Sequence, residues 1–340
     1  PSLTVGSTGC GKTTRSRFGT LQLAGRVKGL WLFDFRKREY AVLRPYLRRI
    51  GIDLAVVPVR SLRLNPLQPP SGTDPREYAP NISEALVRVL RLPERATKLV
   101  HSKILQLYAR FGTRYATLFD LYEVVAADRK ANPQARQAIV DSLEPVLLSL
   151  REVLCYRRGW TTNELARRHI VFEFGGVSDV DKDLLLNTLV LSEFMSRISR
   201  GVSNPRMDLF ICVDEAARLV GSSDNSISDL IGIIRGTGIG LDLSLQSAEV
   251  TRAVLSNTPN RFIGRVTSYA DLEAVGSSMG LNQEQRHWIS RNLVPGMFVG
   301  QLGQGSWRHP FVFRIPPLNL KKQGKQKRGG RTNPHGLLGS

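Results

Sequence analysis

The feature that most constrains this chain sits at its very beginning. Gly6-Ser7-Thr8-Gly9-Cys10-Gly11-Lys12-Thr13 fits G-x-x-x-x-G-K-[ST], directly after an apolar run at 3–5 and directly before an amphipathic run at 12–25. In that setting the glycines let the backbone turn its amide N–H groups inward around phosphates. The helix N-terminus behind them adds the positive end of its dipole. Such a loop needs a strand to launch it and a helix to receive it, so the chain must contain an α/β core. Lys12 would contact the β- and γ-phosphates of a nucleotide and the Thr13 hydroxyl would ligate Mg²⁺. The binding positions run from Gly6 through Thr14. Cys10 reads as a small residue of the loop in preference to a redox switch.

The texture downstream supports that core. Strand patterns at 30–34 and 54–59 flank a helical pattern at 38–50, and this strand–helix–strand order implies a parallel sheet with helices on its faces. Residues 65–73 are rich in Pro, Ser and Gly and read as a linker. From about 75 to 165 the pattern is helical, with apolar residues at i, i+3 and i+4 in 83–92, 96–111, 117–129 and 135–154. Pro145 is expected to kink or restart the last of these. Strand patterns return at 169–174, a long apolar-striped helix is expected over 184–200, and strands follow at 209–213, 241–245, 261–265 and 297–302. The expected division is therefore a first core part (1–74), an all-α insertion (75–165), a second core part (166–316) and a basic tail (317–340).

Charge bears on partners. Lys and Arg number 48 against 29 acids, a formal +19. The acid-free tail carries six of those charges on Lys321, Lys322, Lys325, Lys327, Arg328 and Arg331, leaving thirteen for the body. Disorder in isolation is expected there, as a solubilising tail or a nucleic-acid-binding one. The three cysteines, Cys10, Cys155 and Cys212, lack metal spacing and form no disulfide framework, so a reducing, cytosolic setting is the default. No run of about 18 apolar residues is long enough to span a bilayer. The chain opens on Pro1 with its first strand under way, as expected of a trimmed or processed form, which leaves open whether a membrane anchor or a small domain precedes it.

Two further blocks carry chemistry. Leu209-Phe210-Ile211-Cys212-Val213-Asp214-Glu215 is an apolar strand ending in adjacent carboxylates. Asp214 would hold Mg²⁺ through its water shell, and Glu215 would polarise the attacking water. Residues 241–246 form a second apolar strand ending in an amide, Gln246, which would sense the γ-phosphate. Arg235 precedes that strand, where a ring-forming ATPase presents an arginine to a neighbour's nucleotide; Arg261 and Arg265 are the fallbacks. No Asn-Lys-x-Asp motif is present, which disfavours a GTPase, and Val180-Asp181-Lys182-Asp183 is only a partial echo. The absence of Leu-Ser-Gly-Gly-Gln argues against an ABC transporter ATPase. The late carboxylates and the helical insertion argue against a compact nucleotide kinase.

Together these blocks resemble the HerA/FtsK superfamily of DNA-pumping ATPases, in particular the type IV coupling proteins of conjugation and HerA-like helicases. The resemblance extends to Leu30–Tyr40, to Asn65-Pro66-Leu67, to the Arg-x-x-Gly…Gln-Ser pattern of 235–247, to Ser256-Asn257 through Arg265, to Asp271 and Gly280-Leu281, and to Leu293-Val294-Pro295-Gly296-Met297 and Ile315-Pro316. It implies a RecA-like P-loop NTPase core with a mostly parallel sheet and an all-α insertion, assembled as a hexameric ring that threads DNA using ATP and Mg²⁺. It carries the phosphate-binding pair onto Lys12 and Thr13, the acidic pair onto Asp214 and Glu215, and the sensor onto Gln246. Asp34-Phe35-Arg36-Lys37-Arg38 departs from the Pro-Lys-Gly that coupling proteins have after the Asp.

The implied partners are single- or double-stranded DNA, further copies of the chain, and a nuclease, relaxase or secretion channel, at the inner face of a membrane or free in the cytoplasm. Two other readings remain open. One is a type IV secretion-type ATPase driving protein or pilus traffic. The other is a nucleotide-dependent assembly scaffold without useful hydrolysis.

Overall fold

The chain is described here from a computed structural model, which covers residues 1–35, 38–220, 231–232, 234, 236–246, 252–266 and 268–318. Its described strands, β1 (Ser2–Val5), β2 (Gly29–Asp34), β3 (Leu54–Pro58), β4 (His169–Glu173), β5 (Asn204–Val213), β6 (Thr237–Leu245), β7 (Asn260–Ile263), β8 (Met297–Gln301) and β9 (Phe311–Arg314), form one sheet. The order is β3-β4-β2-β5-β6-β1-β7-β8-β9. Pairing is parallel from β3 to β7, and β8 and β9 close that edge as an antiparallel pair.

β2 shows why the sheet is central. Its sequence Gly-Leu-Trp-Leu-Phe-Asp has no polar residue until its end, and all six residues are buried. That is what a parallel strand covered on both faces requires. The pleat sends Trp31 and Phe33 to one face and Leu30 and Leu32 to the other, into two separate cores. On the first face Phe33 stacks on Phe172 at 5.1 Å and Trp31 meets Phe172 edge-on at 5.8 Å. The Trp31 indole N–H donates to the Leu165 carbonyl at 3.0 Å. On the second face Leu30 and Leu32 pack with Tyr40, Leu43 and Leu47, alongside α1 (Lys12–Leu23) and α2 (Arg44–Arg49). Each such side chain, fully buried, contributes roughly 1.5–3 kcal/mol.

Between β3 and β4 the chain forms only helices: α3 (Pro75–Val89), α4 (Ala96–Phe111), α5 (Leu118–Ala126), α6 (Pro133–Ser149), α7 (Arg151–Leu154) and α8 (Thr162–Leu165). The starts of α3, α5 and α6 are set by side chains that accept orphan amides: Asp74 from Arg76, Thr117 and Asp120 in a capping box, and Asn132 from Ala135. α9 (Asp179–Ser199) packs against α3, α6 and α8 and shares one buried core with the sheet, and every residue from 184 to 197 is buried. A helix covered all round is what such a position demands. Among the described residues, short helices follow at α10 (Ala217–Val220), α11 (Arg252–Asn257), α12 (Tyr269–Ser278) and α13 (Gln283–Asn292). No described helix is long and apolar enough to cross a membrane.

The structure corrects several sequence expectations. The helix expected over 38–50 reduces to a 3-10 turn at Ala41–Leu43 and the short α2. Here the Tyr40 amide donates to Asp34 Oδ2 at 3.0 Å and pins the chain as it leaves β2, and Pro in the first turn starts the helix late. Residues 65–73 are no free linker. Asn65 Nδ2 donates to the Ala116 and Arg157 carbonyls at 2.8 and 2.9 Å, and Leu67 is buried. Pro145 lies inside α6, which continues to Ser149 and breaks at Leu150. Buried Ile139, Leu143 and Val146 hold the helix through the missing hydrogen bond. α9 begins five residues before the expected start, because Ser178 and Asp181 form a capping box across a polar stretch. β9 was not expected from four residues of pattern.

Candidate active site

The loop after β1 is held by both flanking strands. The Gly6 amide donates to the Leu245 carbonyl of β6 at 3.2 Å, and the Ser7 amide donates to the Arg265 carbonyl, just past β7, at 2.7 Å. Beneath the loop Cys10 is 1% exposed, and burial pushes its thiol above the usual range. A Cβ on Gly6 would lie 2.6 Å from Cys10 Sγ, so only glycine fits there. Gly11 caps α1 at φ +105°, and a Cβ on it would also stand 3.2 Å from the Gly296 amide nitrogen. That amide donates to the Cys10 carbonyl at 2.8 Å. The 293–297 turn is thus a buttress for the loop, a role that its sequence did not announce.

Lys12 is buried, and its Nζ donates to the Gly6 and Ser7 carbonyls at 2.6 and 3.1 Å, folded back along the loop. Thr13 Oγ1 donates to Asp214 Oδ2 at 2.8 Å across 201 positions of sequence. The hydroxyl and the carboxylate form a pair of hard oxygen ligands, the chemistry Mg²⁺ takes beside substrate phosphates. Burial raises the Asp214 carboxyl above the usual range; the Thr13 bond opposes this, and the charges of Glu39 and Glu215 add to it. Thr8 Oγ1 lies 3.4 Å from Gln246 Oε1, so β6 brings the amide to the loop. These groups, with Thr14 and Glu215, line one open cleft of about 440 Å³ at the carboxyl ends of the parallel strands. Ligand sites in open α/β sheets lie at that end.

Glu215 sits in the turn after β5 at φ +62°, an uncommon backbone for a residue with a Cβ. Its Oε2 accepts from Arg218 Nε at 3.1 Å. The cleft also holds Glu39 and Arg17, joined at 3.5 Å, which sequence reasoning missed. Their only signal was a place shortly after the loop and after β2, and nothing local told them from other surface charges. α1 is anchored by another unforeseen group. Asp242, 2% exposed on β6, accepts from Arg15 at 2.6 and 2.8 Å and from Ser16 at 3.0 Å.

The proposed trans arginine, Arg235, lies outside the described residues, as do Arg36, Lys37 and the tail from 319. Of its fallbacks, Arg261 is part-buried and donates to the backbone carbonyls of Leu255, at 2.7 Å, and Ser278. Arg265 is exposed beside the loop that its carbonyl supports.

No family model and no curated protein matches the sequence. Solved structures do match. VirB4 of Thermoanaerobacter pseudethanolicus superposes with a TM-score of 0.70 at 18% identity, over 94% of this chain and 90% of that one. The chain has the RecA-like P-loop NTPase fold. The plasmid coupling protein TrwB with the ATP analogue ADPNP gives 0.61 at 15% identity, over 93% of this chain and 84% of that one. TrwB with ADP and Mg²⁺ gives 0.58 at 15% identity, covering 93% and 85%. Both neighbours are of the HerA/FtsK-type P-loop ATPase class that the sequence resembles.

Proposed function

We propose that this chain is an ATP-hydrolysing motor that translocates DNA, working as a hexameric ring in conjugation, DNA processing or packaging. The observation that carries the reading is the 2.8 Å bond from Thr13 to Asp214, with Glu215 in the same cleft. In that arrangement Lys12 exchanges its loop carbonyls for the β- and γ-phosphates, and the loop amides bind phosphate oxygens. Glu215 orients and deprotonates the attacking water, and Gln246 contacts the γ-phosphate side of the cleft. Mg²⁺ held by Thr13 and Asp214 would offset phosphate charge. Arg235 of an adjacent copy supplies the trans charge.

The chain divides into core parts at 1–74 and 166–316, a helical insertion at 75–165 and a basic tail at 317–340. The excess positive charge suits many weak phosphate contacts made without sequence readout. The decisive experiment measures ATP turnover with and without DNA across a salt titration. DNA should stimulate hydrolysis, and Lys12→Ala should abolish it. Turnover indifferent to DNA would sink the DNA part.

A second reading, a type IV secretion-type ATPase for protein or pilus traffic, draws on the higher TM-score to VirB4, 0.70 against 0.61 for TrwB. DNA binding at physiological salt separates the two, because a protein motor gains little from DNA. A scaffold that binds ATP without useful hydrolysis has no need of Glu215.

A further inference from the structure

Arg218 makes three charged bonds from one guanidinium. Its Nε donates to Glu215 Oε2 at 3.1 Å, Nη1 to Asp183 Oδ1 at 2.9 Å and Nη2 to Asp179 Oδ1 at 2.9 Å. Its plane lies over Phe35, 5.5 Å from the ring centroid, at the floor of the nucleotide cleft. The backbone around it is held as firmly. Asn187 Nδ2 donates to the Arg218 carbonyl at 3.3 Å, and Arg88 Nη1 of α3 donates to the Leu219 carbonyl at 2.7 Å while its Nη2 bonds Asn187. Ala216, between the two partners, donates its amide to the Ser244 carbonyl of β6 at 2.9 Å.

We propose that Arg218 is a positioning residue for hydrolysis, which sets the orientation of the Glu215 carboxylate in the cleft and is itself set by Asp179 and Asp183 at the start of α9. The proposal rests on the reading of Glu215 as the group that activates water. A glutamate in a left-handed turn has its Cβ direction decided by the backbone, but its carboxylate still turns about its own torsions. Nε, the least mobile nitrogen of the guanidinium, takes one oxygen of that carboxylate, and the two aspartates remove the remaining freedom of the fork. Arg218 touches no reacting atom. Its effect reaches the water only through Glu215, so loss of Arg218 lowers kcat and leaves nucleotide affinity intact. Through Arg88 and Asn187 the same turn is clamped to α3 and α9, so a shift of the helical segment against α9 would reach Glu215 by this route.

The test uses the full chain and single-turnover and steady-state ATP hydrolysis. Arg218→Ala should lower kcat by about 10- to 100-fold with KM within about twofold, and Arg218→Lys should recover part of the loss. Adding Arg218→Ala to Glu215→Gln should cost less than about twofold more, because residues that act through one another are non-additive. Wild-type kcat in Arg218→Ala, a loss confined to KM, or additive losses in the double variant would overturn the proposal. Should Arg218→Ala not fold, Asp183→Asn and Arg218→Lys decide, and unchanged kcat in both overturns it. A wild type that binds ATP yet turns over no faster than Glu215→Gln brings down the hydrolysis reading and this proposal together. A wild type that outpaces Glu215→Gln while Arg218→Ala keeps pace with it brings down this proposal alone.

Discussion

Two arginine clusters flank α9, and they look alike chemically. At its start Arg218 joins Asp179, Asp183 and Glu215. Towards its end Arg197 joins Glu193 at 2.7 Å and Asp208 at 2.6 Å, and donates to the Thr237 carbonyl at 2.7 Å. The difference is where β5 places them. Asp208 lies early in β5, away from the cleft, whereas Glu215 lies just beyond its carboxyl end. In open α/β sheets ligands bind outside the carboxyl ends of the strands. The Arg197 cluster is also deeper. Burial raises the Glu193 carboxyl despite its arginine, and although burial opposes Arg197, its bonds to Glu193 and Asp208 hold that guanidinium above its ordinary value. The same residue types thus serve cohesion at one end and, on the reading proposed above, chemistry at the other.

The comparison can be broken experimentally. Arg197→Ala leaves Glu193 buried without its partner and should cost about 3–5 kcal/mol of unfolding free energy. A loss below about 1 kcal/mol in urea titrations would mean that the deeper cluster is not structural. Glu215→Gln should lower kcat by about 10²–10³ with the thermal midpoint nearly unchanged. If the midpoint falls instead while turnover survives, the two clusters have exchanged roles. Gly11→Ala, which forces a Cβ into a left-handed cap against Gly296, should cost about 1–2 kcal/mol and weaken nucleotide binding. Calorimetry of ADP binding checks this, and wild-type affinity would show that the loop adapts.

The smallest effect is expected at His169, at the start of β4 and away from both clusters. Burial lowers its pKa below the ordinary 6.5. The unfolded chain therefore binds the proton more readily, and stability is lost as pH falls below about 6.5. Melting at pH 7 and pH 5.5 should show a larger drop in the wild type than in His169→Gln. Equal drops would assign the acid sensitivity elsewhere.

Legibility in the sequence followed contiguity. The phosphate loop was readable because its glycines, Lys12 and Thr13 act through one local turn. β2 and the 209–213 half of β5 were readable because a strand buried on both faces is apolar until its end, while the polar first half of β5, 204–208, carried no such pattern. The start of α9 was missed because a capping box is polar and an apolar pattern passes over it. Pro145 does not restart the helix, because local propensity yields to packing when the flanking turns are buried. The groups around the cleft were hidden for a different reason. Glu39, Arg17 and Arg218 are ordinary charges in sequence, and the Gly296 amide has no side chain to mark it.

The sequence by itself determined the α/β class, the phosphate loop, the two strands that end in Asp214-Glu215 and Gln246, and the helical stretch between β3 and β4. Each is a pattern carried by neighbouring residues whose backbone geometry is locally constrained. Only the tertiary structure decided that β6 lies between β1 and β5, that Thr13 meets Asp214, and that Arg218 bonds Glu215. Those facts depend on strand order and on the packing of α9, which bring together residues as much as 240 positions apart. No local rule reaches across that separation.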